Sequence, residues 1–468
     1  MAAEQLPVAT VQAPLAAGAS PFVVGPEVMA VLETLWHNSH AAYLVGGGVR
    51  DALLGLPVSD WDVATDARPE RIQAVFPGAT YQNRFGTVQA RGLEITTFRR
   101  DHRYADHRRP DSVIFSDDVY EDLARRDLTI NAIAWGRRGI DAAPRLIDPA
   151  DGRGDLRARL VRAVGDPSRR FDEDALRLLR AVRIAARLGF TIEPVTKAAM
   201  AAHATDIQWV SEERIGSELR RMLDTRQPSR AFESLRETGI LASTLPELQA
   251  LSDVQALEGA GGTGRGVYRH ALGALDAAVA RDPGNERLAL AALLGETGVE
   301  AARGLLQRLC ISARDGEAVC RLIELAMTDY PPDWSDADVR RYVGQAPPGL
   351  IDDLLALRLA RAQAAGDQAA GVTTGVIREG ELAERVQAQR LAGAPLSLSE
   401  LAVDGRDLRE TMGLPEGRII GSILERLLDD VIEDPSLNQR TTLLTRASLI
   451  LDTLVEGGNG AAEGPRIG

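Results

Sequence analysis

The sequence predicts an α+β unit on the N-terminal side, followed by a chain that is helical almost throughout. Three observations carry this. Short β-type runs ("AAYLVG", "DWDVAT", "GLEITTF", "LTINAIAW", "LVRAVG") all fall between residues 26 and 165, interleaved with helical stretches. From about Asp166 onward apolar residues recur at helical spacing with few exceptions. Aromatic residues make up only 4% of the chain while Leu and Ala are plentiful, which leans toward helix. At 468 residues the chain exceeds what one compact core holds, so roughly two to four domains are expected.

Residues 1–25, rich in Ala and Pro, read as a disordered tail; they lack the basic region and apolar block of a secretory signal. No apolar run reaches membrane-spanning length. Cys310 and Cys320, in a helical-looking region, suggest neither a disulfide framework nor a metal knuckle, and a reducing cytoplasm is the simple inference. The net charge of −13 argues mildly against nucleic-acid binding as a global property, which leaves local patches to carry it. Lys197 is the single lysine, so nearly all positive charge is arginine, whose planar fork suits phosphate.

"YLVGGGVRDALLG" reads as strand, glycine turn and helix, which aims backbone N–H groups and a positive helix end at a site where phosphate can bind. "SDWDV" reads as a strand, so Asp60 and Asp62 are predicted on one face, able to share a hard divalent cation such as Mg²⁺. Glu94, mid-strand in "GLEITTF", supplies a third carboxylate. Each signal alone is weak: an Asp-x-Asp pair is commonly a turn, and a glycine pair before a helix is common. Their order and close spacing describe a two-metal phosphoryl-transfer site. Further on, "DEDALRLLRAVRIAARLGF" and "SEERIGSELRRMLD" are predicted helices, with Ser211 as N-cap of the second. On the first, Asp174, Arg177, Arg180, Arg183 and Arg187 form a polar stripe facing solvent or an anionic ligand. "EGAGGTGRG" (258–266) and "GQAPPG" (344–349) read as loops, helices continue to about Val455, and the end is frayed.

"LVGG.VRD.LLG....D.D..T", then "RRDLTINAIA", "DEDALRLLRAVRIAARLGF" and "ERIGSEL", from Tyr43 to Met222, resemble the class II branch of the tRNA nucleotidyltransferase and bacterial poly(A) polymerase family. The resemblance implies a polymerase-β-like nucleotidyltransferase head (26–165), a helical neck that selects the nucleotide (166–225), a helical body (226–345) and a body and tail that bind tRNA (346–468). It implies transfer of CMP and AMP from CTP and ATP to an RNA 3′ end, with Mg²⁺ and without a template. Carried onto this chain, Asp60 and Asp62 hold metal and Glu94 assists. Gly47 and Arg50 match phosphate-side contacts. Arg126 and Asp127 face the incoming nucleotide, with Asp127 near the ribose hydroxyls. Asp174 and Arg177 match the base-selecting pair, and Arg180 and Arg183 also contact the nucleotide. A carboxylate and a guanidinium together suit cytosine and adenine, because the exocyclic amine donates to Asp174 while ring acceptors take Arg177. Guanine and uracil present the reverse pattern. Arg214 and Glu218 read as architecture holding the neck.

The segment 96–118 resembles the family's flexible loop at full length, which weakens a reading as a CC-only enzyme. Arg99, Arg100, Arg103, Arg108 and Arg109 make it locally basic. The stretch "NRFGTVQARGLEITTF" departs from the basic, aromatic-rich pattern of the poly(A) polymerases and favours the tRNA enzyme, leaving A-only addition open. "GVYRHALGALDAA" followed by "LALAALLGETG" resembles an HD phosphohydrolase segment in which Gly295 and Glu296 replace the His-Asp pair. His270 and Asp276 remain without partners, a relic with no hydrolase activity. "LAVDGRDLRETMGLPEGRIIGSILERLLDDVIEDPSLNQR", punctuated by Gly413, Pro415, Gly417 and Gly421, resembles the tRNA-gripping C-terminal segment. The acidic total predicts strong salt sensitivity of RNA binding. A catalytically silent RNA-binding protein would require the loss of a metal ligand, and none is lost. Nothing in the sequence indicates an oligomeric state.

Overall fold

The computed structural model describes residues 21–83, 86–102, 112–257, 266–331, 333–366, 372–415 and 417–459. Residues 1–20 of the expected tail, 103–111 of the expected loop, 258–265 of the glycine-rich stretch and the end from 460 lie outside the described residues. Contacts divide the chain into one unit of residues 1–249 with 308–310 and a second of 250–307 with 311–468.

The first unit opens with α1 (Pro26–His37), β1 (Ala42–Val45), α2 (Gly47–Leu53), β2 (Asp62–Thr65), α3 (Pro69–Val75), β3 (Thr80–Asn83), β4 (Thr87–Ala90) and β5 (Leu93–Thr97). There follow β6 (Arg99–His102), β7 (Ser112–Phe115), α4 (Val119–Ala124), β8 (Ala134–Arg137), β9 (Arg145–Ile147), α5 (Gly152–Ala158) and β10 (Leu160–Val161). Seven strands form one sheet in the order β3-β4-β5-β2-β1-β8-β9, with β1 antiparallel to β2 and β8 and only β2 and β5 parallel. Strands β6 and β7 make a separate antiparallel ribbon, so the segment expected to be a loop leaves and returns as paired strands.

Strand alternation decides which face carries what. Tyr43, Val45, Ala64, Ala134 and Ile147 lie in one buried cluster with Val119 and Leu123 of α4, so α4 covers that face. Each fully buried Leu or Val adds about 1.5–3 kcal/mol, which is ample to seat a helix of one and a half turns. "LTINAIAW" is not a strand throughout. Thr129–Asn131 form a 3₁₀ turn and pairing begins only at Ala134.

The helical part of this unit runs α6 (Pro167–Glu173), α7 (Leu176–Leu188), the short strand β11 (Thr191–Ile192) paired with β10, α8 (Pro194–Ala202), α9 (Glu212–Leu223), α10 (Ser229–Glu237) and α11 (Ile240–Thr244). The predicted helix across "DEDALRLLRAVRIAARLGF" is therefore broken. Asp174 is extended (φ −155, ψ 105), accepts a hydrogen bond from the Leu176 amide at 3.1 Å, and sits before α7 instead of on it. Gly189, left-handed at φ 66, closes α7. Ser211 takes the N-cap position of α9 without a side-chain cap bond.

The second unit holds helices that include Val267–Arg281, Glu286–Leu294, Ala313–Ala326, Asp336–Val343, Ile351–Gly366 and Val372–Leu391, then Gly405–Met412, Arg418–Glu433 and Arg440–Asn459. The last three enclose a cluster of Leu408, Ile423, Leu427, Val431 and Leu443. Gly413 and Gly417 separate the first two of them, whereas Gly421 lies inside a helix and breaks nothing. Cys310 is exposed and Cys320 buried, both as free thiols. Among the described residues no helix is long and apolar enough to cross a membrane.

Candidate active site

The site lies where β1 ends and the glycine turn begins. Val45 pairs with Asp62 across the antiparallel β1–β2 ladder, and Asp62 pairs with Glu94 in the parallel β2–β5 ladder. Paired residues share a face, so Asp62 and Glu94 stand side by side on the face that α4 covers further along. Both side chains are exposed beyond the end of that helix. Strand β2 begins at Asp62, so Asp60 lies just outside it and the alternation argument does not place it. It is nonetheless close enough for its charge to act on Asp62. Although the residue is exposed, the protein around it displaces part of the hydration of the Asp62 carboxyl and pushes it above the usual range, as do the charges of Glu94 and Asp60, with Arg126 pulling it down.

The three glycines have different reasons. Gly46 is left-handed at φ 77, and a Cβ there would meet Asp62 Oδ2 at 3.1 Å and an Arg126 terminal nitrogen at 3.2 Å. Gly48 is in close approach to the chain before β2: a Cβ would stand 2.9 Å from the Asp60 carbonyl oxygen. Gly47, the predicted phosphate contact, is the one whose would-be side chain first meets Arg50, at 3.4 Å. Arg50 itself is 4% exposed and donates to Asp51 at 2.8 Å and to Asn131 Oδ1 at 2.7 Å. The resemblance placed Arg50 among the phosphate-side contacts, and its guanidinium lies beside Gly47 of the turn. It lies under the turn as a buried positive charge.

Asn131 passes the connection on, donating from Nδ2 to Asp127 Oδ1 at 3.2 Å. The other Asp127 oxygen takes Arg180 Nε at 2.7 Å. Despite its burial, the Arg180 and Arg177 guanidiniums and these bonds hold the Asp127 carboxyl far below the usual range, and Asp127 holds Arg180 correspondingly above its own. Arg126 donates to Asp122 at 3.1 Å, and Arg125 donates to the same carboxylate at 2.7 Å.

Each member of the predicted stripe has a partner of opposite charge. Asp174 Oδ2 takes Arg214 at 2.9 Å, Arg177 donates to Glu173 at 2.6 Å, Arg183 to Glu218 at 2.6 Å, and Arg187 to Asp51 at 2.9 Å. Asp174 and Arg177 are thus each held by a third residue, which fixes the direction in which their hydrogen-bonding edges point. Arg177 also reaches the Arg125 carbonyl at 3.2 Å, linking α7 to the segment after α4. Sequence reasoning missed Asp122, Asn131, Glu173 and Gly46. The signal for Asp122 and Glu173 was present as acids three or four residues before an arginine. Asn131 had no local signal.

Among the described residues no group of three His, Cys, Asp or Glu side chains forms a metal cage. Two neighbouring carboxylates are what Mg²⁺ commonly takes from a protein, the remaining positions going to water and substrate phosphate. The mutual pressure of Asp60, Asp62 and Glu94 is of the kind a cation relieves. In the second unit His270 does have partners, which corrects the expectation: Nδ1 meets Glu296 at 2.9 Å and Nε2 meets the Arg361 carbonyl at 3.1 Å. Glu296 also holds Arg361 at 2.9 Å.

Comparison with known proteins agrees with this geometry. Residues 42–162 match the poly A polymerase head domain, 189–251 a probable RNA and SrmB-binding site of polymerase A, and 282–447 a putative tRNA nucleotidyltransferase domain 2. The CCA-adding enzyme of Geobacillus stearothermophilus is 34% identical over 421 residues, 88% of this chain and 94% of that protein. The crystal structure of Bacillus stearothermophilus CCA-adding enzyme in complex with CTP superposes with a TM-score of 0.67 at 27% identity, covering 94% of this chain and all of that one. Thermotoga maritima CCA-adding enzyme, complexed with tRNA, shares the fold at TM-score 0.60 and 19% identity over 92% of this chain and 96% of that one.

Proposed function

This chain belongs to the family of CCA-adding enzymes, and from that premise we propose that it completes tRNA 3′ ends with CCA, transferring CMP and AMP from CTP and ATP and releasing pyrophosphate. The observation that carries the reading is the in-register pair Asp62 and Glu94, directly beneath a left-handed Gly46 and beside Asp60.

Asp60 and Asp62 would hold divalent metal, with Mg²⁺ as the expected ion. Bound there, it would neutralise charge developing on the transferred phosphate and lower the pKa of the attacking hydroxyl. The protein's own part is positioning. Glu94, exposed beside Asp62, is placed to accept the proton of the tRNA 3′-hydroxyl. The amides of the Gly46–Gly48 turn, with the buried Arg50 charge beneath, receive the triphosphate. Arg126 and the Asp127–Arg180 pair orient the ribose side. Asp174, tethered by Arg214, accepts from the exocyclic amine of cytosine or adenine, and Arg177, tethered by Glu173, donates to the ring acceptors. A wrong base leaves buried donors or acceptors unpaired, at about 1–3 kcal/mol each. A tRNA-processing role supports a cytoplasmic location.

The test uses tRNA transcripts ending at the discriminator base, at C and at CC, incubated with Mg²⁺ and single or paired nucleotides. Growth of all three to a clean CCA end is expected, and Asp60→Ala should abolish it. Extension of the CC-ended transcript alone would make this an A-adding enzyme, and long A ladders would make it a poly(A) polymerase.

A further inference from the structure

Asp122 is 1% exposed, the most deeply buried carboxylate around the site, and no substrate can reach it. Its two oxygens are divided between neighbouring arginines. Oδ1 takes Arg125 Nε at 3.0 Å and a terminal nitrogen at 2.7 Å, while Oδ2 takes Arg126 at 3.1 Å. Helix α4 is seated by Val119 and Leu123 against Val45 and Ala64, so its last turn delivers Arg126 to the end of β2. There the far end of the same guanidinium meets the metal carboxylate's surroundings. One point, the absent Cβ of Gly46, lies 3.2 Å from Arg126 and 3.1 Å from Asp62 Oδ2. Yet Arg126 forms its ion pair with Asp122 and not with Asp62. Its Nε is buried with no hydrogen-bond partner, and among the described residues Asp122 is the one carboxylate in an ion pair with it.

We infer that Asp122 is a positioning residue for metal binding: by claiming Arg126 it keeps that guanidinium from closing onto Asp62 and occupying the cation's place. An arginine and a divalent cation compete for the same carboxylate oxygens. Asp60, Asp62 and Glu94 together would draw Arg126 strongly once its own counter-charge were gone. Only a buried acid can hold it back, because a surface pair would be screened and worth little. The inference rests on the reading of Asp60 and Asp62 as metal ligands.

The test is Mn²⁺ binding to the nucleotide-free enzyme, read from the electron paramagnetic resonance signal of the free ion, with circular dichroism melts to confirm folding. Asp122→Asn is expected to weaken binding by about tenfold or more, as removal of a group behind a metal ligand does. Adding Arg126→Met to that variant is expected to restore binding to near the wild-type level, although the double variant will turn over poorly. A purely structural role predicts no such rescue. Wild-type affinity in Asp122→Asn, or a folded double variant as weak as the single one, overturns the inference. Asp60→Ala separates the two readings: if it binds Mn²⁺ as wild type does, the metal assignment itself falls and the inference with it.

Discussion

Asp62 is held in a condition that costs the fold stability. Partial loss of hydration and two neighbouring carboxylates raise its pKa, so the folded chain binds this proton more tightly than the unfolded one. Stability therefore falls as pH rises from the ordinary carboxylate pKa of about 4 to the raised one, and stays lowered at neutral pH. Asp62→Asn removes that penalty. It should melt higher than wild type at pH 7 without divalent metal, and the advantage should fade as pH approaches about 4. Mg²⁺ should narrow the gap by stabilising only the wild type, and the variant should be inactive. A variant that melts lower at pH 7 would show that the carboxylates are not in mutual repulsion. Asp127 has the opposite sign. Its depressed pKa contributes stability above the ordinary carboxylate range, lost only as pH falls through the depressed value. The two aspartates, similar in sequence, differ because one faces acids and the other faces Arg180.

At the scale of elements, the sequence pattern located the β-type runs, the glycine turn and the neck helices, because alternation and helical spacing are local properties. It could not locate the break at Asp174. The apolar spacing of Leu176, Leu178, Leu179 and Val182 continues smoothly backward, and only the Asp174 bond to the Leu176 amide marks the new start. Nor could it show that Arg214 and Glu218, four residues apart on α9, bond to Asp174 and Arg183 and not to each other. Such pairings, like Asn131 between Arg50 and Asp127, depend on elements brought together by packing. The break has a functional consequence: Asp174, outside α7, owes its orientation to Arg214. Arg214→Ala should thus relax base choice, lowering discrimination of CTP against UTP by about tenfold or more, as loss of one well-placed hydrogen bond would. Its melting should change little, since both partners are partly exposed and such pairs contribute at most about 1 kcal/mol. Paired kcat/KM values for CTP and UTP, with a melt, decide this. Unaltered discrimination would remove Arg214 from the selection machinery.

The whole molecule brings an acidic chain to a polyanion. Its net charge is −13, yet its charge balance includes 54 Lys and Arg. In the neck these cations are committed to acids: Arg177 to Glu173, Arg180 to Asp127, Arg183 to Glu218 and Arg187 to Asp51. Phosphate contacts must then come from arginines elsewhere or compete with these pairs. Salt acts on the two parts of this balance with opposite signs. It screens the repulsion between chain and RNA, which is long-ranged at 0.01 M, where the Debye length is about 30 Å, and short-ranged at 0.1 M, where it is about 10 Å. It also weakens each phosphate contact by counterion release, at every concentration. Repulsion dominates at low salt and release at high salt, so the KM for tRNA should pass through a minimum at intermediate salt, somewhere around 0.02–0.1 M. Initial rates against tRNA concentration across a potassium chloride series at fixed free Mg²⁺ measure it directly. A KM that rises steadily from the lowest salt would mean that a local basic surface, and not the acidic total, governs the approach of the RNA.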